Sequence, residues 1–111
     1  MVKYVPDQGD IVWLDFKPQK SNEIKKTRPA LVISCKKYNT KTSLAIFMPI
    51  TSKIKHYPFE IEVNINGKAA AILCDQVRSL DWQERKATKI TTLSKEPLEV
   101  AISKLSLLIS C

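Results

Sequence analysis

Residues 17–28, KPQKSNEIKKTR, carry five cations and one carboxylate and run directly into the apolar stretch PALVIS. Arg28 stands at the junction, immediately before Pro29. An arginine at a loop–strand boundary has a positioned backbone, so its side chain can be aimed. The planar guanidinium matches two phosphate oxygens at once and stays charged at any working pH. The chemistry this offers is anion capture and stabilisation of charge growing on a phosphate. A surface salt bridge or a cap on a backbone carbonyl would use the same residue, and spacing alone leaves these readings open.

Thr51 is the second residue of interest. It closes MPIT, an apolar run ending on a hydroxyl, and strand ends are where small β proteins tend to carry sites. The hydroxyl can donate to a phosphate oxygen, or simply terminate the strand through a local backbone bond. Glu23, the sole acid of the 17–28 stretch, can accept a proton or pair with a neighbouring lysine. His56 lies in the cationic segment SKIKHYPF and is either a contact for RNA or a solvated loop histidine. Trp13 and Trp82 can stack on bases, but both sit beside strand-like apolar residues and read more naturally as core or interface. Asp75 and Gln76, which follow AAAILC, read as anchors of a scaffold network.

Other chemistries lack their residues. One histidine and three scattered cysteines, Cys35, Cys74 and Cys111, supply no metal cluster. Gly9 and Gly67 are the only glycines, so there is no glycine-rich phosphate loop. No GxSxG elbow is present, and a lone histidine excludes a two-histidine nuclease mechanism within one chain. The cysteines form no CxxC pair, and their odd number argues against a disulfide framework. Cys35 and Cys74 lie in strand-like runs. No apolar stretch approaches the ~18 residues of a membrane span, and MVKYVPDQGD lacks a signal-peptide core. The expectation is therefore a cytoplasmic protein without membrane contact, forming one domain over residues 1–111. Its net charge of +7 at pH 7 suits a polyanionic partner, of which nucleic acid is the commonest.

The elements that must position these residues follow from periodicity. GDIVWLDF (9–16) alternates as a strand. PALVISC (29–35) is a continuous apolar run, the mark of a strand buried on both faces. Further strands are read at 43–51, 58–63, 69–80 and 87–93, with a turn at INGK (65–68). The C-terminus changes period: Leu98, Ala101, Ile102, Leu105, Leu108 and Ile109 share one face of a helix. Ser94 is its expected N-cap, with Glu96 and Pro97 in the first turn. About six strands and a terminal helix predict a mainly β chain, with short helical segments, in a small and strongly bent barrel-like sheet.

The segments YVPDQGDIVWLDF, RPALVIS, MPIT, YPFEIEV and DQVRSLDW, in this order and spacing, resemble the MazF/PemK family of toxins from toxin–antitoxin pairs. The resemblance covers essentially the whole chain. It implies an SH3-like barrel, a homodimer, and sequence-specific, metal-independent cleavage of single-stranded RNA without a cofactor. It also implies neutralisation by an acidic MazE/PemI-like antitoxin, larger toxin–antitoxin complexes, and operator DNA contact only through that antitoxin. The family's essential arginine falls on Arg28 and its essential threonine on Thr51, while a loop glutamate matches Glu23. RNA contacts are then assigned to Lys17, Lys20, Lys25, Lys26, Thr27, Lys53, Lys55, His56 and Gln76. The loop SNEIKKT departs from close relatives, which often carry glycines there, so the RNA sequence recognised does not transfer. Competing readings on a similar barrel are a gyrase-poisoning toxin and a nucleic-acid-binding transcriptional regulator.

Overall fold

In the computed structural model, which describes residues 4–15 and 27–110, GDIVWLDF supplies β1 (Asp10–Asp15). Side chains alternate across a strand, so Ile11 joins one buried cluster while Val12 and Leu14 join another on the opposite face. The same division explains the unbroken apolar run of β2 (Thr27–Val32). Leu31 packs with Ile11, whereas Ala30 and Val32 pack with Val12 and Leu14. The chain continues through α1 (Lys36–Thr42), β3 (Leu44–Thr51), β4 (Glu60–Ile65), β5 (Lys68–Leu73), β6 (Arg78–Asp81), β7 (Thr88–Thr92) and α2 (Lys95–Ile109).

Every strand pairing is antiparallel, in the order β4-β5-β3-β2-β1-β7, with β6 added beside β3. β3 is the hub. One edge pairs with β2; the other pairs with β6 over Leu44–Phe47 and with β5 at Ile50 and Thr51. Met48 and Pro49 have no register partner on that second edge, so a residue without an N–H sits where the ladder changes partner. The sheet thereby curls into a partial barrel with α2 against it, the expected mainly β fold.

Three sequence expectations are corrected. The run 69–80 is not one strand: β5 ends at Leu73 and β6 begins at Arg78. Asp75 and Gln76 occupy the intervening turn, where the Gln76 N–H donates to the Leu73 carbonyl at 3.3 Å. Seven strands result among the described residues. The strand 29–35 stops at Val32, and Cys35 is the exposed N-cap residue of α1. That helix was unassigned in the sequence because it buries a single residue, the polar Asn39, and has no apolar stripe. Finally, the strand read at 58–63 begins two residues later, since Pro58 lies in a turn before Glu60.

The INGK turn forms as expected. Asn66 and Gly67 have φ of 50° and 85°, the left-handed pair a two-residue hairpin demands. α2 starts after Ser94, with Glu96 and Pro97 in its first turn. Ala101 is fully buried and Leu98 and Leu105 pack beside it. The face ends there, for Leu108 and Ile109 are exposed. Among the described residues no helix is long and apolar enough to cross a membrane.

Candidate active site

Arg28 is the second residue of β2, opposite Leu14 on β1, and is exposed. Thr51 is the last residue of β3, opposite Ala71 on β5, and is half-buried. Though 23 positions apart, both open into one cleft of about 650 Å³. Its walls come from the two ends of the curled sheet: Ile65, Asn66 and Lys68 of the β4–β5 hairpin on one side, Ile90 of β7 on the other. Among the described residues, the charged side chains in its lining are Arg28, Lys53 and Lys68, with no carboxylate. No hydrogen bond or ion pair among the described residues engages the Arg28 guanidinium. A cluster of undischarged cations around an open volume is an anion-binding electrostatic environment.

Thr51 is more constrained. Its Oγ1 accepts the backbone N–H of Lys53 at 3.1 Å. With that lone pair engaged, the hydroxyl proton remains available as a donor. Thr51 and Lys53 also line a second, smaller cleft of about 240 Å³, with Lys55, Tyr57, Glu60, Leu73 and Gln76. The two clefts thus meet at Thr51. Across the second, the Tyr57 hydroxyl donates to Asp75 Oδ2, tying the β3–β4 loop to the β5–β6 turn. That bond, ahead of other causes, raises the Tyr57 pKa from its ordinary value and keeps the phenol a donor.

The structure therefore gathers Arg28, Thr51 and Lys53 at one cleft, and Lys55 and Gln76 at its neighbour. It does not gather Thr27 or His56. Thr27 is exposed opposite Asp15, and His56 lines neither cleft; its backbone N–H donates to Glu60. Lys17, Lys20, Glu23, Lys25 and Lys26 lie outside the described residues. Asp75 makes the bond to Tyr57, and its Oδ1 is buried with no partner among the described residues, so it anchors one contact and not the network read from the sequence. Trp82 is buried, its Nε1–H donating to the Asn39 carbonyl at 2.9 Å. Trp13 is different. It is 44% exposed and lines the larger cleft beside Pro29, its cross-strand partner. Its position between inward-facing Val12 and Leu14 was the signal that marks it as facing away from their cluster. Asn66 and Lys68 were also missed, because only the folding back of the hairpin brings them to the cleft.

Over residues 7–109 the chain matches the family described as PemK-like, MazF-like toxin of type II toxin–antitoxin system. The chain belongs to this toxin family. It is 41% identical over 107 residues to the endoribonuclease toxin MazF of Escherichia coli strain K12, with 96% of each chain covered. Among solved structures it is similar to MazF from Deinococcus radiodurans, with a TM-score of 0.85 at 40% identity, covering 98% of this chain and 100% of that one. MazF in a MazE–MazF complex from the same organism superposes with a TM-score of 0.88 at 41% identity and the same coverage. Toxin-family membership and fold thus agree with the sequence resemblance.

Proposed function

We propose that this toxin endoribonuclease cuts single-stranded RNA where its two clefts meet, with Arg28 and Thr51 flanking the scissile phosphate. The observation that carries the reading is a cleft with no acid among its described lining residues, in which Arg28, without a partner among those residues, faces the same volume as a threonine hydroxyl available for donation. The 2′-hydroxyl of the substrate attacks the adjacent phosphorus. The P–O5′ bond breaks as the P–O2′ bond forms, leaving a 2′,3′-cyclic phosphate and a 5′-hydroxyl. Negative charge gathers on the non-bridging oxygens, and Arg28 bonds them more strongly in the transition state than in the ground state. The arginine fills the electrostatic role, so the reaction needs no metal ion.

Thr51 donates to the phosphate and fixes it in line. The 2′-hydroxyl must lose a proton and the departing 5′-oxygen must gain one. Arginine is a poor base, and Glu23 is the residue we assign to proton removal. Lys53 and Lys55 hold flanking phosphates, and Gln76 meets the chain in the smaller cleft. The working unit is a homodimer, neutralised by an acidic antitoxin that competes for the same cationic surface. The relatives solved as MazE–MazF complexes support that partnership, and the net charge of +7 suits both RNA and an acidic peptide.

Incubating the purified protein in EDTA with a defined single-stranded RNA tests the reading. Cleavage to cyclic-phosphate and 5′-hydroxyl ends is expected, and a 2′-deoxy nucleotide at the scissile position should block it. Cutting of the deoxy-substituted strand would exclude 2′-hydroxyl attack; a requirement for added metal would exclude arginine-only charge stabilisation.

A further inference from the structure

The β3–β4 loop, residues 52–59, supplies Lys53 and Lys55 to the clefts yet contains no regular element. Something other than a ladder must hold it. At its start the Lys53 N–H bonds Thr51 Oγ1. Near its end the backbone turns sharply: His56 has φ of 57°, in the left-handed region that a non-glycine side chain enters at a cost. There the N–H groups of Lys55 and His56 converge on one carboxylate. Glu60 Oε1 accepts from His56 at 2.8 Å and from Lys55 at 3.1 Å, and Oε2 accepts from Lys55 at 3.2 Å. Successive N–H groups pointing to one side form an anion-binding concavity, and here the anion is part of the chain. The Glu60 N–H returns a bond to the Tyr57 carbonyl at 3.1 Å, closing the turn.

Remove the carboxylate and two adjacent donors lose their acceptor, while His56 loses the contact that compensates its backbone conformation. The stretch from Lys53 to His56 is then held only by the Thr51 bond at its start, while Tyr57, Pro58 and Phe59 keep their bonds to Asp75, Lys104 and Cys74. Lys53 and Lys55 leave their places, and the Thr51 hydroxyl is freed to rotate.

We infer that Glu60 is a positioning residue for RNA cleavage: by filling the Lys55–His56 amide concavity it holds Lys53, Lys55 and the Thr51 hydroxyl in the geometry that grips the substrate. The assignment rests on the reading of the two clefts as the cleavage site. It gives Glu60, the first of the two acids of YPFEIEV, a task distinct from chemistry, and it explains the position of His56 through its backbone alone.

Three variants separate the possibilities. Glu60→Gln keeps an oxygen able to accept both N–H groups but no charge. Glu60→Asp keeps the charge and shortens the reach, and Glu60→Ala keeps neither. Amide exchange at Lys55 and His56 should be slow in the wild type and in Glu60→Gln, and fast in Glu60→Ala and Glu60→Asp. On one defined RNA, kcat/KM should stay close to wild type in Glu60→Gln and fall roughly 10–100-fold in Glu60→Ala, the scale of a small displacement at a reacting centre. The salt slope of RNA binding should become shallower in Glu60→Ala as the loop lysines leave the phosphates. Glu60→Asp should follow Glu60→Ala in all three readouts, which secures the test if the alanine variant does not fold. Wild-type kcat/KM in the alanine or aspartate variant would overturn the inference. So would a Glu60→Gln protein as impaired as Glu60→Ala, which would make the charge itself the essential feature. Wild-type protein that leaves RNA intact would overturn the proposed function instead, with the exchange rates still reporting on the loop.

Discussion

Arg28 stands on a strand, yet among the described residues its guanidinium has no partner and its cleft offers it no acid. A structural arginine would be engaged; one kept open is ready for a ligand. Replacing it by alanine is expected to lower kcat by about 10²–10³, the usual cost of removing one preorganised charge-stabilising donor. The urea midpoint should not move, because the side chain is exposed. Arg28→Lys should recover only part of the loss, since an ammonium cannot engage two oxygens in the fixed fork of a guanidinium. Wild-type kcat in the alanine variant, measured by single-turnover cleavage, would remove Arg28 from the chemistry. At this scale the sequence was informative where a residue type and its boundary coincided, as at Arg28-Pro29 and MPIT. It favoured a core or interface role for Trp13 and was silent on Lys68, whose exposure depends on which parts of the sheet remain uncovered. Glu60 escaped notice because its partners are main-chain N–H groups, which no side-chain pattern displays.

At the scale of elements, periodicity located the strands and α2, but two features broke no period and so were hidden. One is the turn at Asp75 and Gln76, set inside a mostly apolar run. The other is α1, organised around a polar residue. Asn39 is fully buried there; its Nδ2 donates to the Pro6 and Ser34 carbonyls at 2.7 and 3.1 Å, and its Oδ1 accepts from the Ser34 hydroxyl at 2.6 Å. Its own carbonyl takes the Trp82 indole N–H. The helix is thus a polar spacer joining the N-terminal segment, the end of β2 and the start of the 82–87 connection. Asn39→Ala should destabilise the fold by about 2–4 kcal/mol, as two carbonyls and a hydroxyl lose their buried partner. Urea unfolding measures this, and a loss below ~1 kcal/mol would show that water replaces the amide readily. The altered protein, if folded, should cut RNA at the wild-type rate, because α1 contributes nothing to either cleft.

At the scale of the molecule, the fold leaves cations in clefts, pairs the buried Asp10 with Lys89 and keeps the Cys74 thiol and Tyr4 phenol protonated. Burial, ahead of other causes, pushes the Cys74 thiol up from about 9 to about 11. Burial and then the hydrogen bond to Asp10 raise the Tyr4 phenol as well. Both groups bind their protons more tightly folded than unfolded. The thiol's contribution is fully present below pH ~9 and is lost as pH rises through about 11, while the phenol's begins to fall only above its ordinary value of 10.0. The urea midpoint should therefore fall across that window, and Cys74→Ala should flatten the decline even though its midpoint at neutral pH is lower. A pH-independent midpoint in the wild type would show that the thiol and phenol titrate alike in both states. The cleft itself has a temporal consequence. Its walls are the hairpin at Asn66 and Ile90 of β7, elements from opposite ends of the strand order that only complete folding brings face to face. Arg28 and Thr51 are both made early in synthesis, but the cavity they serve has no second wall until the ribosome has passed Ile90. An incomplete toxin carries the two residues proposed to cut RNA without the place to use them.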